Sequence, residues 1–323
     1  MPSPLTRMAL AFLVLAAATQ LASCIAVSLV RDDLKEVATP RGSPLDANSM
    51  QTILHGVQYE EPESLYLLAM MKFYGHGVEQ NLGAAVTLLG RAAERGHRDA
   101  EFALGVLYGR GEGVPRSDSL SASWLAKSAA RGHINAKWMV ATMYNEGRGI
   151  TEDVDRAVEL LQDAANAGSA QATFHLGVMH EYGRGVTQNF KWAAELYQQA
   201  HKHQVAEASY YLGLLHLQGR GVDQSFERAR EYFQEAVELG SAQAMYAMGQ
   251  MHVHGQGVAV DYSQALYWLK RAAQQDDIRV SATARSVADE IEFVLSQAEL
   301  QVQASERMLG IPIHVQIGTI DGY

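Results

Sequence analysis

The sequence predicts an all-α protein, a solenoid of antiparallel helix pairs built from six units of 36 residues with a C-terminal capping helix. Three observations predict it. A G-x-G-V turn returns at one fixed spacing, a helix-capping residue follows every turn at one fixed position, and small and large apolar residues recur in columns between the turns.

The turn sets the period. Gly75-His76-Gly77-Val78 returns at Gly111, Gly147, Gly183, Gly219 and Gly255, each 36 residues after the last and with no insertion. Three residues beyond the Val or Ile stand Asn81, Ser117, Asp153, Asn189, Ser225 and Asp261. All six are preferred N-caps, whose side-chain oxygens accept from the first free backbone N–H groups of a helix. Glycine ends the preceding helix, because a left-handed residue costs it nothing. Each turn therefore joins a helix A to a helix B.

Helix B carries a small residue at Ala85, Ser121, Ala157, Ala193, Ala229 and Ala265. Four residues on come Leu89, Leu125, Leu161, Tyr197, Phe233 and Leu269, an apolar stripe at i, i+4. It stops at Gly96, Gly132, Gly168 and Gly240, but Gln204 and Asp276 hold that column in units four and six, which leaves the angle to the next unit open there. Helix A carries Ala100, Ala136, Ala172, Ala208 and Ala244, then Leu104, Val140, Leu176, Leu212 and Met248. Next come Gly105, Ala141, Gly177, Gly213 and Gly249. A glycine inside a helix costs about 1 kcal/mol against alanine, so this column predicts a close approach of the neighbouring helix. Two helices cannot bury their apolar faces alone, and the units must stack.

With these columns in hand, WLAKSAARGHINAKWMVATMYNEGRGI (124–150) and FHLGVMHEYGRGV (174–186) resemble the Sel1-like repeat, a 36-residue relative of the tetratricopeptide repeat. The resemblance covers about residues 62–276. It implies a right-handed superhelix whose concave face binds protein partners. Bacterial members are often exported and act as adaptors or assembly scaffolds. Helical-repeat lipoproteins that serve alginate assembly point the same way, towards envelope complexes or exopolysaccharide export.

Residues 277–310 read as the capping helix, with Ala284, Val287, Ile291, Val294, Leu295, Ala298 and Val302 on one face, charges between them, and Gly310 and Pro312 as terminators. Residues 46–61 read as an N-terminal cap. From Ile311 the chain alternates Ile311, Ile313, Val315 and Ile317 with Pro312, His314 and Gln316, the period of an extended strand, so 311–323 reads as an extended docking tail.

The first residues carry a sorting signal. Arg7 is the only charge before position 31, and Met8 to Val30 is almost wholly apolar. Leu21-Ala22-Ser23-Cys24 resembles a bacterial lipobox, which makes 1–23 a lipoprotein signal peptide and Cys24 the lipidated first residue. The alternative is an uncleaved signal anchor, since the apolar run is long enough to span a hydrocarbon core of about 30 Å. Residues 24–45, with Pro40 and Pro44, form the tether. Both readings leave the domain exported and membrane-anchored in the cell envelope, on the periplasmic face, and at the outer membrane in a Gram-negative cell.

Cys24 is the only cysteine, so no disulfide framework, thiolate metal site or thiol nucleophile exists downstream. A net charge of -10 offers no footprint for nucleic acid. No Ser-x-x-Lys, G-x-S-x-G, H-E-x-x-H or Walker loop occurs, so no catalytic residue and no cofactor is assigned. A bacterial branch of the resembling family is associated with penicillin binding and lactam hydrolysis, and the alternative function is a periplasmic hydrolase acting on peptidoglycan or lactams. His180, His216 and His252 share one column, but stacked helices lie about 8–10 Å apart and ligand nitrogens must lie about 2 Å from zinc, so no metal site is assigned. The expected contact surface is a stripe of helix A through Asp99, Ala103, Val106 and Arg110 and their equivalents. It presents Tyr74, Met139, His175, Tyr182, Tyr211, Leu214 and His254, with exposed Tyr and Met as interface anchors.

Overall fold

The computed structural model describes residues 47–309, which form fourteen helices and no strand. Cys24, the signal segment, the tether and the tail 311–323 lie outside the described residues. The chain divides into two compact units, Met1–His175 and Leu176–Tyr323.

In the first unit, α1 (Ala47–Gln58) precedes three complete A–B pairs. These are α2 (Pro62–Tyr74) with α3 (Leu82–Glu94), α4 (Arg98–Arg110) with α5 (Asp118–Ala130), and α6 (Ile134–Glu146) with α7 (Val154–Asn166). Helix α8 (Ala170–Tyr182) carries the division between the units. The second unit continues through α9 (Phe190–His201), α10 (Ala206–Gln218), α11 (Phe226–Glu238), α12 (Ala242–His254), α13 (Tyr262–Ala273) and α14 (Ile278–Leu309). From α1 to α7, and again from α9 to α14, each helix packs on the next.

The six B helices that follow a G-x-G turn start as their cap column predicts. The side chains of Asn81, Ser117, Asp153, Asn189, Ser225 and Asp261 each accept from the backbone N–H three residues on. The A helices have a cap column too, which the sequence reading missed. Ser169 and Ser241 cap through their hydroxyls. His97 and His133 cap through Nδ1, accepting from Ala100 and Ala136 at 3.2 and 3.1 Å. An imidazole can do this only while Nδ1 is unprotonated.

The apolar columns are the core. Leu89, Leu125, Leu161, Tyr197, Phe233 and Leu269 are at most 1% exposed, and the alanine columns are sealed between them. The helix-A glycines make room for these side chains. A Cβ on Gly213 would lie 2.5 Å from the Phe233 ring, and one on Gly177 2.7 Å from Tyr197. The close approach is therefore by the large side chain of the paired B helix as well as by backbone. In the turns, the second glycine has two duties. Gly149 has φ +71°, and a Cβ there would lie 2.2 Å from the carbonyl carbon of Asp118, at the start of the preceding B helix.

Two junctions refine the period. Gln204 stands in the glycine column yet takes φ 60°, the same left-handed turn. Glu60 does likewise at φ 60°, 36 residues before Gly96, and Ile53 is buried 36 residues before Leu89. Helix α1 is thus the B helix of a half-unit, and the Glu60 carboxylate is held by Arg91 and Arg95. Both arginines lower its pKa, the Arg91 hydrogen bond most.

Helix α14 departs from expectation at one place. Ala284, Ala288 and Ile291 are buried, but Val294 is 58% exposed and Phe293 64%. The cause is length. At about 1.5 Å per residue, the 32 residues of α14 outrun the 12 of α13 that they pack on. Among the described residues no helix is long and apolar enough to cross a membrane.

Candidate partner-binding surface

Helix A is covered on most sides, which corrects the expected stripe. His175 and Tyr211, expected at the surface, are 9% and 5% exposed, and Ala103 and Val106 are buried as well. The A helices α2, α4, α6, α10 and α12 each pack on the helices before and after them, and their last turns and the adjoining G-x-G loops stay partly open. That leaves Tyr74, Arg110, Glu146 and Tyr182 half-buried and Gln218 and His254 exposed. Met139 and Leu214 are half-buried beside them.

The open ends differ from repeat to repeat. Tyr74 stacks on His76 at 5.5 Å and meets Phe73 edge-on. His254 meets the Gln250 amide at 3.0 Å, and that amide donates to Tyr246, a chain along one face of α12. His175 stacks on fully buried Trp138 at 5.4 Å. Its role is packing, and burial lowers its pKa to about 4.

The second unit holds a polar cluster that the sequence reading did not assemble. Glu181 is 2% exposed and accepts from the Tyr197 hydroxyl at 2.8 Å and from Arg220 Nη2 at 3.2 Å. The Arg220 guanidinium lies over the Phe190 ring at 4.9 Å. Burial raises the Glu181 pKa, while Tyr197 and Arg220 oppose it. Tyr182 and Tyr211, both named from sequence, border this cluster, and burial pushes both phenols well up. One signal was available beforehand. Arginine fills the x of G-x-G at Arg148, Arg184 and Arg220 and needs an acid within reach.

The first unit has a cavity at the equivalent level. It measures about 30 Å³ and is bounded by Gly109, Ser121, Leu125, Met139, Thr142 and Arg148, among others. In the His180, His216 and His252 column, His180 and His216 face the loop carbonyls of Thr187 and Asp223 at 3.4 and 3.1 Å. Among the described residues no three metal-ligating side chains converge.

The Sel1 repeat family model matches the chain at residues 62–97, 98–133, 134–169, 170–201, 206–241 and 242–277. Its one gap falls where Gln204 replaces the junction glycine. Among solved structures, a Sel1 repeat protein from Oxalobacter formigenes is 23% identical with a TM-score of 0.67, over 79% of this chain and 98% of its own. A protective antigen present in uropathogenic Escherichia coli strains, displaying an SLR fold, is 26% identical with a TM-score of 0.63. It matches over 77% of this chain, which spans about half of that protein (52%). No curated protein matches in sequence. Sel1-repeat proteins generally mediate protein–protein interactions. With six matched copies covering most of its length, the chain belongs to the Sel1 repeat family.

Proposed function

We propose that this chain is a membrane-tethered adaptor that holds a protein partner along the open ends of its A helices, in the assembly of an envelope complex such as an exopolysaccharide exporter. One observation carries the reading. The buried columns repeat from unit to unit, whereas the last turn of helix A changes from Tyr74 to Arg110, Glu146, Tyr182, Gln218 and His254 on the same scaffold. Tyrosine and arginine are enriched at interface centres, where they supply large contact area at low entropic cost.

Replacing Tyr74, Tyr182 and His254 by alanine tests it. The expected result is a loss of partner capture of tenfold or more with helical circular dichroism unchanged. Undiminished capture overturns the placement. Tyr211 is unsuitable for this test, because its loss would open the core.

The tether is proposed to be a lipid on Cys24. Cys24→Ser is expected to abolish labelling by a radioactive fatty acid and to leave unprocessed precursor. An unlabelled wild type would make the apolar run a signal anchor instead.

A further inference from the structure

The repeat allows positions in the first unit to be read against positions 72 residues later in the second. Gly109 corresponds to Glu181, Leu125 to Tyr197, Met139 to Tyr211 and Arg148 to Arg220. In the second unit the Glu181 carboxylate fills the space beneath the loop arginine. The same column carries Phe73, Asn145, Leu217 and Val253 in the remaining repeats, so Gly109 alone brings no side chain to it. The cavity of about 30 Å³ lies against Gly109. A water needs about 10–15 Å³ of such space, so the cavity admits a carboxylate group of three heavy atoms, and the stem that carries it must leave through the cavity's open side.

We propose that this cavity is a binding site for a carboxylate on a short aliphatic stem, supplied from outside the chain, which takes the place that Glu181 occupies in the second unit. The wall has the chemistry for it. Arg148 holds Glu146 through Nε at 3.2 Å and lies 3.6 Å from Asp118 through Nη1. Neither contact uses Nη2, the atom with which Arg220 serves Glu181. Arg110 lines the cavity where Tyr182 stands in the second unit, and the side chains of Ser121 and Thr142 border it where Ala193 and Leu214 stand. Leu125, Met139 and Met143 offer the stem an apolar bed. A single charge-assisted bond from Nη2 to a carboxylate is about twice as strong as a neutral hydrogen bond. The neighbouring acids Glu146 and Asp118 temper the attraction, so affinity in the millimolar range is expected for a small probe. The site goes beyond the adaptor reading, because a free short-chain acid satisfies it as well as a glutamate side chain of a protein partner.

The test uses the full chain in detergent, with the methionine methyls labelled and followed by NMR. Sodium propionate is expected to shift Met139 and Met143 and to leave Met248 unmoved, while propionamide, of the same shape but neutral, binds at least tenfold more weakly. Gly109→Glu combined with Ser121→Ala brings the second unit's carboxylate into the cavity and is expected to abolish the shifts. Arg148→Gln, which leaves the cavity open, is expected to weaken propionate tenfold. Acetyl-glutamate amide, whose only carboxylate is on the side chain, separates the sources. Binding by it points to a protein partner, and binding by propionate alone points to a free acid. Absent shifts in wild type, equal shifts with propionamide, or shifts retained in the filled variant would each overturn the proposal, and none of them touches partner capture at Tyr74, Tyr182 and His254.

Discussion

The two units solve one packing problem in different ways. Beneath the Arg220 loop, Glu181 and Tyr197 form a sealed polar cluster, whereas beneath the Arg148 loop Gly109 and Leu125 leave an open cavity. The backbone path is the same by register, since 72 residues separate every pair of equivalent positions. Only side-chain volume and polarity differ. A repeat scaffold can therefore change what one level offers without changing the fold, because each unit contacts only its neighbours.

Acidification should separate the units most. In the first unit, His133 and His175 are lowered by burial to about 4. Between the ordinary value of 6.5 and about 4 the unfolded chain binds more protons than the folded one, so stability falls as pH falls through that window. The loss is about 3 kcal/mol for each histidine. Protonation also removes the Nδ1 acceptor by which His133 caps α6. In the second unit the Glu181 pKa is raised, so that group contributes stability at low pH that is lost as pH rises above the ordinary 4.5. Hydrogen exchange resolved by segment is expected to show α6 loosening between pH 6.5 and 4 while α9 and α10 hold. Equal loosening of α6, α9 and α10 would contradict the assignment.

Removing the acid comes next. Glu181→Ala removes the carboxylate that accepts from the buried Tyr197 hydroxyl and opens a cavity, costing about 3 kcal/mol by urea denaturation. Gly213→Ala and Gly109→Ala then form an opposed pair. The first forces a methyl to 2.5 Å from the Phe233 ring and should cost about 1–2 kcal/mol. The second meets Ser121 alone, its Oγ at 3.0 Å, which can rotate, and its Cβ at 3.6 Å, and should gain up to about 1 kcal/mol of helix propensity. Thermal melts of the two variants check the sign. The smallest effect is Tyr197→Phe, a loss of about 1 kcal/mol that leaves the core column intact.

The fold was legible because its determinants are local and repeated. Six B-helix caps and the sealed columns follow from residue type at fixed spacing. The histidine caps escaped notice because histidine is not a usual cap, and α1 because Glu60 and Ile53 share the period but not the residue types of their columns. The contact surface was only partly legible. Helical spacing places Met139, His175 and Tyr211 in one column, but it cannot tell which faces a second neighbouring helix covers, and His175 and Tyr211 were covered. The cavity at Gly109 needed coordinates, since a glycine column can signal either a gap or a close fit.

The adaptor reading is tested most directly by photocrosslinking in the native membrane. A crosslinking amino acid is placed at 74, 182 or 254 on the A helices, and at 120, 192 or 267 on the B helices, where Leu120, Trp192 and Tyr267 are among the exposed apolar side chains. The account predicts that the A-helix positions crosslink to one common protein and that the B-helix positions do not. Crosslinks confined to the B-helix positions would contradict it.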